Sequence, residues 1–164
     1  MQPKTNEIIL GIDPGYGRCG FAVIAKAGSQ LNCLTHGVIT THAGLSHARR
    51  LLEISQDLQE IIKTFNPYKI AVEELFFAKA TTTVLKVAEA RGVIIATAAK
   101  SGLEVLEIKP NEVKIALTGY GNADKGQVQR MIKTVFNLSK IPRPDDAADA
   151  LAIAWTAAAI TRYD

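Results

Sequence analysis

Two apolar runs that each end on a carboxylate constrain this chain more than any other feature: Ile8-Ile9-Leu10-Gly11-Ile12-Asp13 and Ile70-Ala71-Val72-Glu73. The first is rich in β-branched and large apolar residues and is closed by Pro14-Gly15, the signature of a strand running into a turn. The second is apolar enough to be covered on both faces. A carboxylate at such a strand end is costly to desolvate unless something positive joins it. Asp146 and Asp149 add two more at the start of an Ala-rich apolar helix, three residues apart and therefore on one face. Taken alone, acids at a helix start also serve capping and the macrodipole. That role does not account for Asp13 and Glu73. Oxygen donors gathered this way suit a hard divalent cation, and the chain reads as built to hold metal.

The rest of the chain supplies a frame for those four residues. Two further strands, 20–27 and 31–41, follow the first so closely that they form antiparallel hairpins, with Gly28-Ser29 at one turn. Residues 46–65 carry apolar side chains at helical spacing (Leu51, Leu52, Ile54, Leu58, Ile61, Ile62), and Asn66-Pro67 stops them. A fourth strand spans 68–75, a long helix 81–101, a fifth strand 103–108 and a short helix 110–117. After the loop at Gly119, Gly121 and Asn122 come helices at 123–136 and 145–161, separated by Pro142 and Pro144. The expected architecture is α/β: one domain over 1–164 with a five-stranded mixed sheet and helices on both faces. Right-handed crossovers place the fourth strand beside the first. Neighbouring strands lie about 4.8 Å apart, which brings Asp13 and Glu73 within reach of each other. Periodicity leaves two choices open. Glu73 and Glu74 point to opposite faces of one strand, and Asp145 and Asp146 both stand near a helix start, where Asp145 after Pro144 could be an N-cap.

Composition limits the partners. With 164 residues, 48% apolar, the chain can bury a substantial core, and 21% charged residues argue against disorder. The net charge of +3 is modest, but between Lys100 and Arg143 eight Lys/Arg face four Asp/Glu. A basic excess beside an acidic site is what a phosphate-binding protein needs, although a solvated surface explains such charges equally well. Cys19 and Cys33 have neither CxxC spacing nor paired His, so zinc and a disulfide framework are not expected, and a reducing cytoplasm fits. The longest apolar stretch, 150–160, is far short of the roughly 18 residues of a membrane span, so a soluble protein without a membrane partner is expected.

Gly11-Ile12-Asp13-Pro14-Gly15, Val72-Glu73-Glu74-Leu75-Phe76, Gly119-Tyr120-Gly121-Asn122-Ala123-Asp124-Lys125 and Asp145-Asp146-Ala147-Ala148-Asp149-Ala150-Leu151-Ala152 resemble, in order and spacing, the bacterial Holliday junction resolvases of the RuvC family. The likeness extends from about Ile8 to Thr156. It implies an RNase H-like fold, a homodimer and a Mg²⁺-dependent endonuclease that nicks two opposed strands of a four-way DNA junction in recombination and repair. By the same resemblance the catalytic, metal-holding carboxylates are Asp13, Glu73, Asp146 and Asp149, with two Mg²⁺ per subunit and Mn²⁺ as a substitute. Phe76 matches the aromatic that stacks on a base near the crossover, whereas Phe77 is expected in the core or loop wall. Lys114 and Lys125 match residues that contact backbone phosphate. The RuvA–RuvB branch-migration machinery is the implied partner. Two positions depart from the family pattern: Ala80 stands where Asn is frequent, and Ala88-Glu89-Ala90-Arg91-Gly92 stands where Gly-Gln-Ala-Arg-Gly is frequent. Rival readings are a YqgF-type RNase H-like nuclease, an actin-like or sugar-kinase ATPase, and a catalytically dead junction-binding module.

Overall fold

Strand β1 (Glu7–Asp13) sits at the centre of a five-stranded sheet, and the sheet places both acid-tipped strands side by side. In this computed structural model, which describes residues 7–76, 79 and 81–160, β2 (Arg18–Ala27) and β3 (Gln30–Thr40) follow β1 as antiparallel neighbours. Helix α1 (His47–Phe65) then crosses to β4 (Lys69–Glu73), which pairs with β1 in parallel. Helix α2 (Thr82–Lys100) leads to β5 (Glu104–Ile108) on the far side of β4. Helices α3 (Pro110–Thr118), α4 (Lys125–Val135) and α5 (Asp145–Ala159) complete the chain. The sheet order is β3-β2-β1-β4-β5, the mixed sheet expected from the spacing.

The apolar pattern divides the core into two layers. Ile9, Ile24, Ala71, Ile108, Leu151 and Ile153 pack in the cluster that includes α3, α4 and α5. Leu10, Ile12, Val23, Val72, Ile54 and Ile94 fill the opposite face beneath α1 and α2. Helices therefore cover both faces. Helix α5 is apolar all round and buries ten of its fifteen residues, as a helix inside the core must. Its buried Thr156 donates its hydroxyl to the Ala152 carbonyl at 2.8 Å, so that hydroxyl is not stranded.

Local chemistry sets the element ends. Ser46 caps α1 by accepting from the Arg49 N–H, and Asn66 closes that helix in the left-handed region at φ 47°. Strand β4 stops at Glu73, two residues short of the expected Leu75, and residues 74–76 leave the sheet. Asp145 is not an N-cap. Pro144 takes that position, and Asp145 is the first helical residue of α5. Phe77 and Ala80 lie outside the described residues.

Candidate active site at the end of the central strands

Strand parity aims Asp13 and Glu73 at one face. Ile9 and Ala71 belong to the core layer under α5, and side chains alternate along a strand. Gly11 and Asp13 on β1, and Glu73 on β4, therefore face α5 as well. The register confirms that the two acids are neighbours, since Ile12 pairs with Val72 and each acid follows directly. Glu74 goes the other way. It lines a separate recess with Phe76 and Arg91, whereas Glu73 lines a cavity of about 280 Å³ with Asp149, Lys114 and Lys125.

Two glycines let α5 come down onto the sheet. A Cβ at Gly11 would lie 2.3 Å from the Ala150 carbonyl oxygen, and one at Gly20 would lie 2.0 Å from that of Asp146. Gly20 is the antiparallel partner of Asp13, so this contact seats the first turn of α5 directly beside Asp13. Close approach of this kind requires glycine on the strand and small residues such as Ala150 and Ala154 on the helix. Gly15 serves the adjoining turn, where a Cβ would meet the Arg18 carbonyl oxygen at 1.7 Å.

The electrostatics follow from this crowding. Burial first, and then the charges of Glu73, Asp149 and Asp146, push the Asp13 carboxyl from its ordinary 3.8 up to about 8. Burial and Asp149 likewise lift Glu73 to about 7, against the opposing pull of Lys125 and Lys114. Burial raises Asp149 too, with Lys125 working against it. Asp145 differs from these three. It is exposed, and its hydrogen bond from Lys125, with Arg143 also beside it, holds it below the usual carboxylate range.

Three basic residues neutralise this corner. The Lys125 ammonium bridges Asp145 and Asp149 at 3.3 Å each. Burial disfavours its charge, but the two carboxylates outweigh that effect and raise its pKa. Arg18 approaches Asp146 at 3.2 Å, while Arg143 pairs with Asp145. Asp146 Oδ2, the oxygen that Arg18 approaches, is buried and accepts no well-aligned hydrogen bond. Arg18 and Arg143 escaped the sequence reading. No spacing rule marks either one: Arg18 meets Asp146 only through the tertiary fold, and Arg143 reaches Asp145 locally, two residues on across Pro144.

The donor set fits hard cations: all carboxylate oxygen, with one buried oxygen lacking an aligned donor. Among the described residues no three His, Cys, Asp or Glu side chains are already drawn together as a metal cage. The carboxylates repel one another, and Lys125 and Arg18 hold two of them from the side. Phe76 is not a core residue. It stands 67% exposed, just past the Glu73 end of β4. Among the described residues no helix is long and apolar enough to cross a membrane.

Residues 9–157 match the family model for crossover junction endodeoxyribonuclease RuvC. The chain is 49% identical to the Thermosipho melanesiensis crossover junction endodeoxyribonuclease RuvC over 94% of its own length and 99% of that protein's. It is 51% identical to the Heliobacterium modesticaldum enzyme of the same name, over 90% of this chain and 91% of that one. Among solved structures it is similar to Thermus thermophilus RuvC in complex with Holliday junction substrate, with a TM-score of 0.88, 35% identity and 93% of each chain covered. The family match, the identity near 50% over most of both chains and the structural similarity agree, and the chain belongs to the RuvC family of crossover junction endodeoxyribonucleases.

Proposed function

We propose that this nuclease works as a homodimer that nicks two opposed strands of a four-way DNA junction, with one site per subunit built from Asp13, Glu73, Asp146 and Asp149. The observation that carries the assignment is the convergence of two central-strand carboxylates with two from the first turns of α5. The relative solved with Holliday junction substrate supports the choice of DNA. The near two-fold symmetry of a junction suits a two-fold dimer.

The four carboxylates would hold two Mg²⁺ ions, with Mn²⁺ able to substitute. Bound there, the ions would supply an activated water and charge stabilisation at the leaving oxygen for in-line phosphodiester cleavage to a 5′-phosphate and 3′-hydroxyl. The protein's own part is positional and electrostatic. Asp13 and Glu73 are held with raised pKa values, so they surrender their protons as cations or neighbouring positive charge arrive. Lys125 tempers the carboxylate repulsion and stands where it can move onto a phosphate oxygen, and Lys114 lines the same cavity. Exposed Phe76 is placed to stack on an unpaired base, an interaction worth roughly 1–3 kcal/mol. We place the protein in the cytoplasm, acting with the RuvA–RuvB branch-migration machinery.

A pair of neighbouring substitutions tests the site. Asp146→Asn should bind a synthetic junction and fail to cut it in Mg²⁺, whereas Asp145→Asn, on an exposed residue satisfied by Lys125 and Arg143, should keep most of its cleavage. Full activity in Asp146→Asn would remove that residue from the site. Binding without cleavage by the wild type in both Mg²⁺ and Mn²⁺ would mark a non-catalytic junction binder.

A further inference from the structure

The turn that follows Asp13 is held from outside the acidic site. Thr41 donates its hydroxyl to the Tyr16 carbonyl at 2.7 Å and its N–H to the Gly17 carbonyl at 3.0 Å. Arg50, on α1, donates from Nε to that same Thr41 hydroxyl at 2.9 Å and lays its guanidinium over the Tyr16 ring, 3.9 Å from the centroid. The Tyr16 hydroxyl meets His47 Nδ1 at 2.7 Å, and His47 Nε2 pairs with Glu89 on α2. Two residues further along α2, Arg91 donates from Nε to the backbone carbonyl of Glu73 at 2.9 Å and pairs with Glu107 of β5. Helix α2 thus grips both acid-bearing strand ends, one through a chain of side chains and the other directly.

We propose that Glu89, His47 and Tyr16 form a positioning relay that, with Arg91, fixes helix α2 relative to Asp13 and Glu73. The relay gives a role to Glu89, which stands where the family pattern frequently has Gln and which finds its partner in His47. Exposed ion pairs contribute little stability, so the relay acts on geometry and not on folding. Geometry is what a metal-assisted displacement depends on, since a misplacement of about 1 Å can cost roughly 100-fold in rate. Helix α2 also begins shortly after Phe76, so a pull on that helix by bound DNA would reach both strand ends through these contacts. This inference rests on the junction-cleavage reading.

Three variants of the full-length protein test it. Glu89→Ala should cut a four-way junction about tenfold more slowly under single-turnover conditions in saturating Mg²⁺, the usual scale for an outer-shell partner. Its junction Kd and Tm should stay at wild-type values. Glu89→Gln should recover the rate, because its amide oxygen still accepts from His47. Tyr16→Phe should be as slow as Glu89→Ala, and the double variant no slower than either, as members of one chain must behave. Amide hydrogen exchange at Gly15 to Arg18 should quicken in Glu89→Ala, a readout that needs no cleavage. Wild-type rate and exchange in Glu89→Ala would overturn the relay, as would a Gln variant as slow as the Ala variant. A wild-type protein that cuts no junction would defeat the functional reading instead, leaving the exchange measurement to decide the relay.

Discussion

Asp13→Asn should make the metal-free protein more stable, and increasingly so as the pH rises. The Asp13 carboxyl titrates at about 8 in the fold against an ordinary 3.8. A carboxyl with a higher pKa folded than unfolded binds more protons in the folded state, so stability falls as pH rises between the two values. Below about pH 4 the group favours the fold, and that advantage is gone above about pH 8. The gap of about four pH units, at about 1.36 kcal/mol each, sets an upper limit near 6 kcal/mol. Glu73 is itself raised to about 7 by burial and nearby carboxylates, and the repulsion between the two is shared. Assigning about half of the limit to Asp13 leaves roughly 3 kcal/mol. For a chain of this size each kcal/mol moves Tm by about 2–4 °C, so the variant should unfold some 6–12 °C above wild type near pH 8.5 in a chelator. At about pH 4 and below the two should nearly coincide. Mg²⁺ at about 1,000 times Kd should reverse the order at the higher pH, because it stabilises only the intact site, by about 4.1 kcal/mol. Scanning calorimetry across pH, with and without Mg²⁺, measures every part of this. A difference in Tm that does not grow with pH, or a variant less stable than wild type near pH 8.5, would refute the claim that crowded carboxylates strain the fold.

The other expected outcomes are simpler to read. Gly20→Ala places a methyl 2.0 Å from the Asp146 carbonyl oxygen, so it should cost about 1–3 kcal/mol in thermal unfolding and slow cleavage by roughly 100-fold as α5 lifts away. Phe76→Ala should leave Tm unchanged, because the ring is exposed, and should weaken junction binding by about 1–3 kcal/mol in a titration. Lys125→Ala removes a charge that lowers the pKa of Asp13, Glu73 and Asp149 alike, so the midpoint of the pH–rate profile in Mg²⁺ should move to higher pH, and an unmoved midpoint would count against that coupling.

The elements were largely legible because each carries a local signal. Asn66-Pro67 ends α1, Pro14-Gly15 ends β1, and the apolar spacing of α1 is plain in the chain. Even the adjacency of β1 and β4 follows from crossover handedness. The overreach at Leu75 has a physical cause. Apolar side chains continue past Glu73, but β5 ends its pairing at Ile108, and residues 74–76 lose their ladder partner beyond the single Glu74 bond to Ile108. Arg18, Arg143 and the Tyr16–His47–Glu89 chain were illegible for another reason. Apart from Arg143, whose partner Asp145 is two residues on, their partners are 31 to 128 residues away in sequence and are selected only by packing.

The sequence by itself determined which residues are costly to bury: Asp13 and Glu73 at the ends of apolar strands, and Asp146 and Asp149 on a helix too apolar to be exposed. It also determined their order along a recognisable chain. Periodicity did not determine which of two adjacent acids enters the site, a choice that only the family resemblance named. That choice needs a face, and a face exists only once α5 lies on the sheet. Gly11 and Gly20 admit α5 against one side of β1, and strand parity then turns Asp13 and Glu73 toward it and Glu74 away. The same docking sets Asp146 beside Asp13 and leaves Asp145 outside, paired with Lys125 and Arg143. Side-chain alternation is a local property, but what each side faces is decided by packing.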